Sequence, residues 1–442
     1  MVERLRAEGV LGVTIAYVDN NGIARSRTVP TPAFAAAAHR GVGVTTLFAV
    51  FDSRDAITFA HPGLANASGD VRLVPVLDRL LPRLSGQPRF GWAPGVRIQA
   101  DGSPWAYDDR SVLVRQVDAA RALGYEFRAG YEIEFFLGRL GEDLGPAHAG
   151  PAYGPKATLE VDEFLGTALS DLAANGVPVA QIHAEYGLAQ LELSIEASDP
   201  LTAADHQVLA RQTIHAAARR HGLRASFAPV VTMSSAGNGW HLHTSTTKDG
   251  VPVLDGGPDG PGPLGRAYIG GLLRELPAIA AVTAPSVGSR LRLRPGFFAG
   301  AYAAWGVENR EAPLRYIPTS EFMGVGHANL ELKTSDASAN PFLALAVVIA
   351  AAVAGMEQDA PLPAPVSSDP GSLSDAERSA AGIVALPATE AEAAAALSGS
   401  ALLRSVLGED LYGAFAAVRA SDAAWAESLE PEEIAETLRW RY

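Results

Sequence analysis

Gly130-Tyr131-Glu132-Ile133-Glu134-Phe135-Phe136-Leu137 is the stretch that decides the fold. Apolar, β-prone residues alternate here with two glutamates. Side chains two apart on a strand share a face, so Glu132 and Glu134 stand side by side while Ile133 points the other way. Other segments repeat the theme. His183-Ala184-Glu185 leads into Gln190-Leu191-Glu192-Leu193, and Trp240-His241-Leu242-His243-Thr244-Ser245 puts His241 and His243 on one face. Asn329-Leu330-Glu331-Leu332-Lys333 alternates in the same way. Carboxylates gathered in a partly buried cleft repel one another unless cations neutralise them. Oxygen ligands select hard ions such as magnesium or manganese, and added imidazole makes manganese tolerable. Each pair taken alone better suits the solvent-facing side of an amphipathic strand, and spacing does not establish that the segments meet in space.

A second constellation is basic. Arg290, Arg292 and Arg294 alternate with leucines, and Arg310 and Arg315 follow Asn309. On alternate strand positions such arginines could clamp phosphate or carboxylate oxygens bidentately; they equally suit a charged, solvated edge strand.

Bulk properties narrow the class. The chain has 442 residues, which predicts a small domain plus a larger one. At 48% hydrophobic and 19% charged it can bury a sizeable core. A net charge of -14 argues against nucleic-acid binding but leaves room for a local arginine cluster around a small anion. With no cysteine, a metal must be held by carboxylate and imidazole. The start, Met1-Val2-Glu3-Arg4, does not read as a secretion signal, and the longest uncharged apolar stretch, 342–355, is too short to span a bilayer. A cytoplasmic protein without membrane contact is expected.

Along the chain, Val13 to Val18, the turn Asp19-Asn20-Asn21-Gly22 and Ile23 to Val29 predict a hairpin opening a small N-terminal domain. Pro82, Pro88 and Pro94 precede Val96-Arg97-Ile98 and suggest a boundary near 95–105, dividing the chain into 1–100 and 101–442. Residues 203–221 read as a helix that Thr202 could cap, and Asn340-Pro341 starts another. Residues 250–265 and 360–374 read as loops.

Taken in order, the segments resemble the glutamine synthetase family over essentially the whole chain. The motif G-x-E-x-E-F-F-L is Gly130 to Leu137, H-x-E…Q-x-E is His183 to Glu192, and an altered N-G-S-G-x-H-x-H-x-S is Ala236 to Ser245. T-A-P-S-V is Thr283 to Val287, N-R-x-A-x-x-R is Asn309 to Arg315, and D-x-x-A-N-P-x-L is Asp336 to Leu343. The resemblance implies an α+β fold, with an N-terminal β-grasp domain (1–100) and a catalytic domain (101–442) around a curved antiparallel sheet. It implies one metal on Glu134, Glu185 and Glu192 and a second on Glu132, His241 and Glu331, with Mg2+ or Mn2+ and ATP as cofactors. His243, Ser245, Arg310 and Arg315 match nucleotide-binding positions, and Gly237, Arg292 and Lys333 match the glutamate pocket. Arg310, Glu185 and Arg292 are the expected catalytic residues. The partners it implies are glutamate, a small amine, and copies of the same chain in stacked rings of a dodecamer-like homo-oligomer.

The sequence departs from ammonia-using members at the flap. P-G-Y-E-A-P there is Pro295-Gly296-Phe297-Phe298-Ala299-Gly300 here, with Phe298 in place of the glutamate. Lys333 replaces an arginine, Ala236 an asparagine, and Asp52-Ser53-Arg54-Asp55 the D-G-S-S loop. Gly326 and Asn329 stand where basic residues are usual, and no tyrosine lies between Tyr316 and Tyr412 to match one adenylylated in some bacterial members. Metal and phosphate positions are kept while ammonium positions change. That pattern resembles the branch making γ-glutamyl amides from ethanolamine, polyamines, methylamine or anilines, with Phe298 in the amine site. Two other readings stand beside it: an ammonia-using enzyme or a ligase for another acid, and a non-catalytic regulatory paralogue.

Overall fold

The computed structural model describes residues 1–257 and 260–442, and shows an α+β protein built on two main sheets. The first sheet contains β1 (Gly12–Val18), β2 (Ala24–Pro30), β3 (Val42–Thr45), β4 (Asp70–Pro75) and β5 (Phe90–Ile98) in the order β2-β1-β5-β4-β3. The predicted hairpin is β1–β2, and β1 pairs parallel with β5. Its core, including Val13, Ile15, Phe34 and Leu73, forms a cluster of its own. Pro94 and the segment from Val96 to Ile98 lie inside β5.

The second sheet runs from Trp305–Val307 through Leu314–Ile317 and Asn329–Leu332 to β10 (Trp240–Lys248), β6 (Tyr125–Arg139), β8 (Gln190–Ser198) and β7 (Val179–Ala184). A further strand, β9 (Leu223–Ser226), pairs with the end of β6. The β6–β8, β6–β10 and β8–β7 ladders are antiparallel. All three motif strands of the sequence are therefore neighbours.

Helices cover the back of this sheet. Pro341–Glu357 is apolar on every side and buried, as a helix without a polar face must be. It meets Pro263–Thr283 where Gly271 and Gly355 face each other. A Cβ on Gly271 would lie 2.3 Å from the Ala351 carbonyl oxygen, and one on Gly355 2.4 Å from that of Ala267. Asn340 caps the buried helix, its Oδ1 accepting from the N–H of Phe342 (3.0 Å) and Leu343 (3.3 Å). Its Nδ2 donates to the Asp19 carbonyl (3.1 Å), which ties the first hairpin's turn to the second sheet's helices.

Three expectations change. The helix predicted at 203–221 is Pro200–Arg220, capped by Asp199, which accepts from the N–H of Thr202. Asp199 wins because the chain already turns helical at Pro200, whose fixed φ suits the first turn. Arg290 and Arg292 belong to a helix, Val287–Arg292, started by a Ser286 capping box, and no strand runs through the three arginines. The loop expected at 250–265 holds short paired segments, Val251–Pro252 on β10 and Gly256–Gly257 with Gly260–Pro261, and Pro263 already starts a helix. Pro258 and Asp259 of that stretch lie outside the described residues.

Candidate active site

Alternation on adjacent strands builds one polar face. Glu132 is paired in register with His241, Glu134 with Glu192, and His243 with Glu331. On the opposite face Ile133, Leu191 and Leu242 are fully buried, and Tyr131 stacks on Trp240 with ring centroids 4.4 Å apart. The polar face lines a cleft of about 1270 Å3 that takes in Glu132, Glu134, Glu185, Glu192, His241 and Glu331. Glu192, His241 and Glu331 are buried, which the solvent-facing side of an amphipathic strand would not give.

The set predicted for a second metal meets closely. His241 Nδ1 is 3.2 Å from Glu132 Oε2 and 3.4 Å from Glu331 Oε1. His243 Nε2 lies 3.4 Å from Glu132 Oε1 and joins that group. In the first set, Glu185 and Glu192 flank His183, whose Nε2 is 3.3 Å from Glu185 Oε1 and 3.7 Å from Glu192 Oε1. Glu134 stands beside them, its Oε2 accepting from the Gly239 N–H and from Gln190 Nε2.

The electrostatics fit a cation. Burial, then the charges of Glu132, Glu134 and Glu185, push the Glu192 carboxyl far above the usual carboxylate range. Burial acts in the same direction on Glu132, but hydrogen bonds from His241 and His243 outweigh it and hold that carboxyl low. Glu331 is also held low against burial, by Lys333 and then the two histidines. Four carboxylates and three imidazoles fall into three overlapping trios, Glu132–Glu192–His241, Glu132–His243–Glu331 and His183–Glu185–Glu192, each with its donor atoms within 4.8 Å of one another, which is the donor chemistry of a hard divalent ion.

The basic residues divide. Arg292, Arg310, Arg315 and Lys333 line the cleft. Arg292 is buried, with Nη2 donating to the Ser335 carbonyl (2.7 Å), and burial lowers its affinity for the proton. Arg290 turns away to the Pro387 carbonyl and Glu390, and Arg294 lies over the Phe297 ring. Of the three alternating arginines only Arg292 reaches the cleft, because they sit on and beyond a helix. Gly237 also lines it. A Cβ there would come 2.3 Å from the Pro229 carbonyl oxygen and 2.7 Å from Arg292 Cγ. His243 and Ser245 lie further along β10, outside the cleft lining.

Phe297 and Phe298 of the flap are both half-exposed at the cleft mouth. Asp52 is fully buried instead. It accepts from the N–H groups of Arg54 and Ala56 and pairs with the Arg54 guanidinium at 2.6 Å. Asp55 pairs with Arg25 and Arg441.

Several cleft residues escaped the sequence reading. His183 was visible only as part of a motif, with no ligand role attached. Gln190 Nε2 bridges Glu134, the Gly237 carbonyl and Asn238 Oδ1, and its even spacing from Glu192 was the available signal. Tyr153 donates to Glu185 Oε2 (2.8 Å) and stacks on His183. It comes from an irregular segment with no periodicity to reveal it.

A family model described as "Glutamine synthetase, catalytic domain" matches residues 106–436. The chain is 45% identical to a Streptomyces coelicolor protein named gamma-glutamylpolyamine synthetase GlnA3, over 99% of this chain and 95% of that one. It is 34% identical to the glutamine synthetase of Thermus thermophilus, over 78% of each chain. Among solved structures, one titled "Crystal structure of novel glutamine synthase homolog" superposes with a TM-score of 0.86 at 30% identity, covering 98% of this chain and 99% of that one. Another, titled "Apo GmaS without ligand", gives 0.83 at 26% identity over 97% of both chains. With its carboxylate–imidazole cleft and its arginines, the chain belongs to the glutamine synthetase family of carboxylate–amine ligases.

Proposed function

We propose that this ligase joins the γ-carboxylate of glutamate to an organic amine at the expense of ATP, by way of a γ-glutamyl phosphate. The observation that carries the reading is the aromatic flap. Phe297 and Phe298 line a cleft that also holds its carboxylates, His183 and His241, and the arginines Arg292, Arg310 and Arg315. Ammonium is small and strongly hydrated, and its site must replace that hydration with carboxylates. An alkyl amine gains instead from burying methylenes, about 0.8 kcal/mol each. The relative named for polyamines supports this substrate class.

In this reading Glu134, Glu185 and Glu192 hold one divalent ion, and Glu132, His241 and Glu331 a second. A divalent ion so placed would neutralise charge on the phosphates. Arg310 and Arg315 offset charge on the transferred phosphoryl group, with His243 and Ser245 towards the nucleotide. Arg292, Gly237 and Lys333 hold glutamate, and Phe298 walls the amine. The amine nitrogen bonds to the γ-carbonyl carbon as the carbon–oxygen bond to phosphate breaks, and its surplus proton passes to a nearby base. The chain divides into domains at 1–100 and 101–442 and assembles into stacked homo-oligomeric rings in which a neighbouring copy closes each site. The enzyme resides in the cytoplasm; among the described residues no helix is long and apolar enough to cross a membrane.

The test is phosphate release from ATP and glutamate with ammonium, methylamine, ethanolamine, a diamine, a polyamine and an aniline. An organic amine should give the highest kcat/KM, and the reading fails if ammonium does. A second reading, another acid in the glutamate pocket, draws on Ala236 in the cleft wall and on Lys333, whose ammonium is engaged by Glu331. Exchanging glutamate for other dicarboxylates in the same assay separates the two.

A further inference from the structure

The flap at 295–300 is fixed at three points. At its start Arg294 lies over Phe297, 4.2 Å from the ring centroid. At its end Thr334 Oγ1 donates to the Gly300 carbonyl at 3.1 Å. Between them Phe298 adopts a left-handed backbone (φ 51°) and donates its N–H to Glu311 Oε1 at 3.3 Å. A residue with a side chain is unfavourable in that conformation and persists only where its surroundings hold it.

Glu311 is itself anchored. Its N–H donates to Asn309 Oδ1 (3.0 Å), and Asn309 Nδ2 donates to the carbonyls of Val366 (2.8 Å) and Ser368 (2.9 Å). Arg310, which lines the cleft, lies between these two residues. Glu311 does not line the cleft. Its carboxylate holds the flap through the main chain of Phe298, and the charge of Lys333 in the cleft also acts on it.

We infer that Glu311 is a positioning residue: it latches the flap through the Phe298 amide and so sets the aromatic wall at the amine end of the cleft. The flap and Arg310, which is flanked by Asn309 and Glu311 in the chain, thereby share one anchor, Asn309. What the wall does rests on the amine-ligase reading, whereas the latch is testable without it.

Amide hydrogen exchange across the flap is measured on the full chain for wild type, Glu311→Gln and Glu311→Ala, followed by kinetics against a panel of amines. Glu311→Ala should raise flap exchange about tenfold, the scale of one lost hydrogen bond. It should raise KM for the amine more than it lowers kcat. Glu311→Gln keeps an acceptor oxygen and should restore both. The inference is overturned if the alanine variant leaves flap exchange unchanged, if the glutamine variant exchanges as fast as the alanine one, or if a loosened flap leaves KM for every amine unaltered. Should no amine be turned over by wild type, the ligase reading fails, and flap exchange still decides whether the latch exists.

Discussion

The ammonium of Lys333 lies 3.1 Å from Oε1 of Glu331, two residues back along the chain, while Arg315 holds the other oxygen at 3.0 Å. Glu331 is fully buried, so this carboxylate is already compensated by two cations. Lys333→Met removes one of them. The variant should lose about 2 kcal/mol of stability without added metal, since a buried charge loses a partner. It should also bind Mg2+ roughly fivefold more tightly, because one competing cation is gone. Urea melts and a Mg2+ thermal-shift titration check the two halves, and weaker Mg2+ binding would contradict the proposed site.

Glu192→Ala and Glu134→Ala should each reduce phosphate release more than about a hundredfold, because each takes away a proposed metal ligand. Both variants should stay folded by circular dichroism. Full turnover in either would remove the assignment.

Gly237→Ala forces a methyl group towards the Pro229 carbonyl and Arg292 Cγ. Because Arg292 is assigned to the acid substrate, KM for glutamate should rise about tenfold with KM for ATP little changed. Steady-state kinetics with each substrate varied in turn reads this directly.

The Asp52 carboxyl is held below its usual range: burial raises it, but the Arg54 and Ala56 N–H groups and the Arg54 guanidinium prevail. A carboxylate depressed in the folded state contributes stability above its unfolded value. That contribution is lost as pH falls through the folded value. Denaturation curves between pH 6 and pH 3, values chosen to bracket about 3.9, should show wild type losing stability in the acid limb. Asp52→Asn should be less stable at neutral pH and flatter across that limb.

Phe298→Glu returns a carboxylate to the flap. The ratio of kcat/KM for ammonium to that for an alkyl amine should rise at least about tenfold, as apolar burial is exchanged for a charge near the ammonium. An unchanged ratio would show that Phe298 packs the flap without touching the amine.

Much of the site was legible because strand alternation is local. Glu132 with Glu134, and His241 with His243, share faces whatever the rest of the chain does. That β6, β8 and β10 are neighbours is a tertiary fact, reached through the ordered motifs rather than through spacing. The arginines show where local pattern misleads. Leucine–arginine alternation over 290–294 fits a strand by period, but Ser286 caps a helix there and turns Arg290 towards Glu390. Tyr153 and Glu311 lie in irregular segments, where no period tells which way a side chain points. Asp19-Asn20-Asn21-Gly22 marks the hairpin turn locally, while its docking on Asn340 has no local signal, because that contact spans 321 positions of chain.

The polar face of the second sheet depends on odd and even positions, and this constrains how such a chain can change by inheritance. Losing one residue within β6 would trade Glu132 and Glu134 for Ile133 and Phe135 in the cleft and bury the carboxylates against Trp240. A heritable change of length in these strands therefore inverts the cleft face unless a bulge absorbs it, as the register irregularity between Ala129 and Tyr131 already does against β8. Gradual divergence otherwise falls on substitutions that respect parity and on the flap and loops. A new acceptor can arise there in small steps while the phosphate chemistry stays fixed.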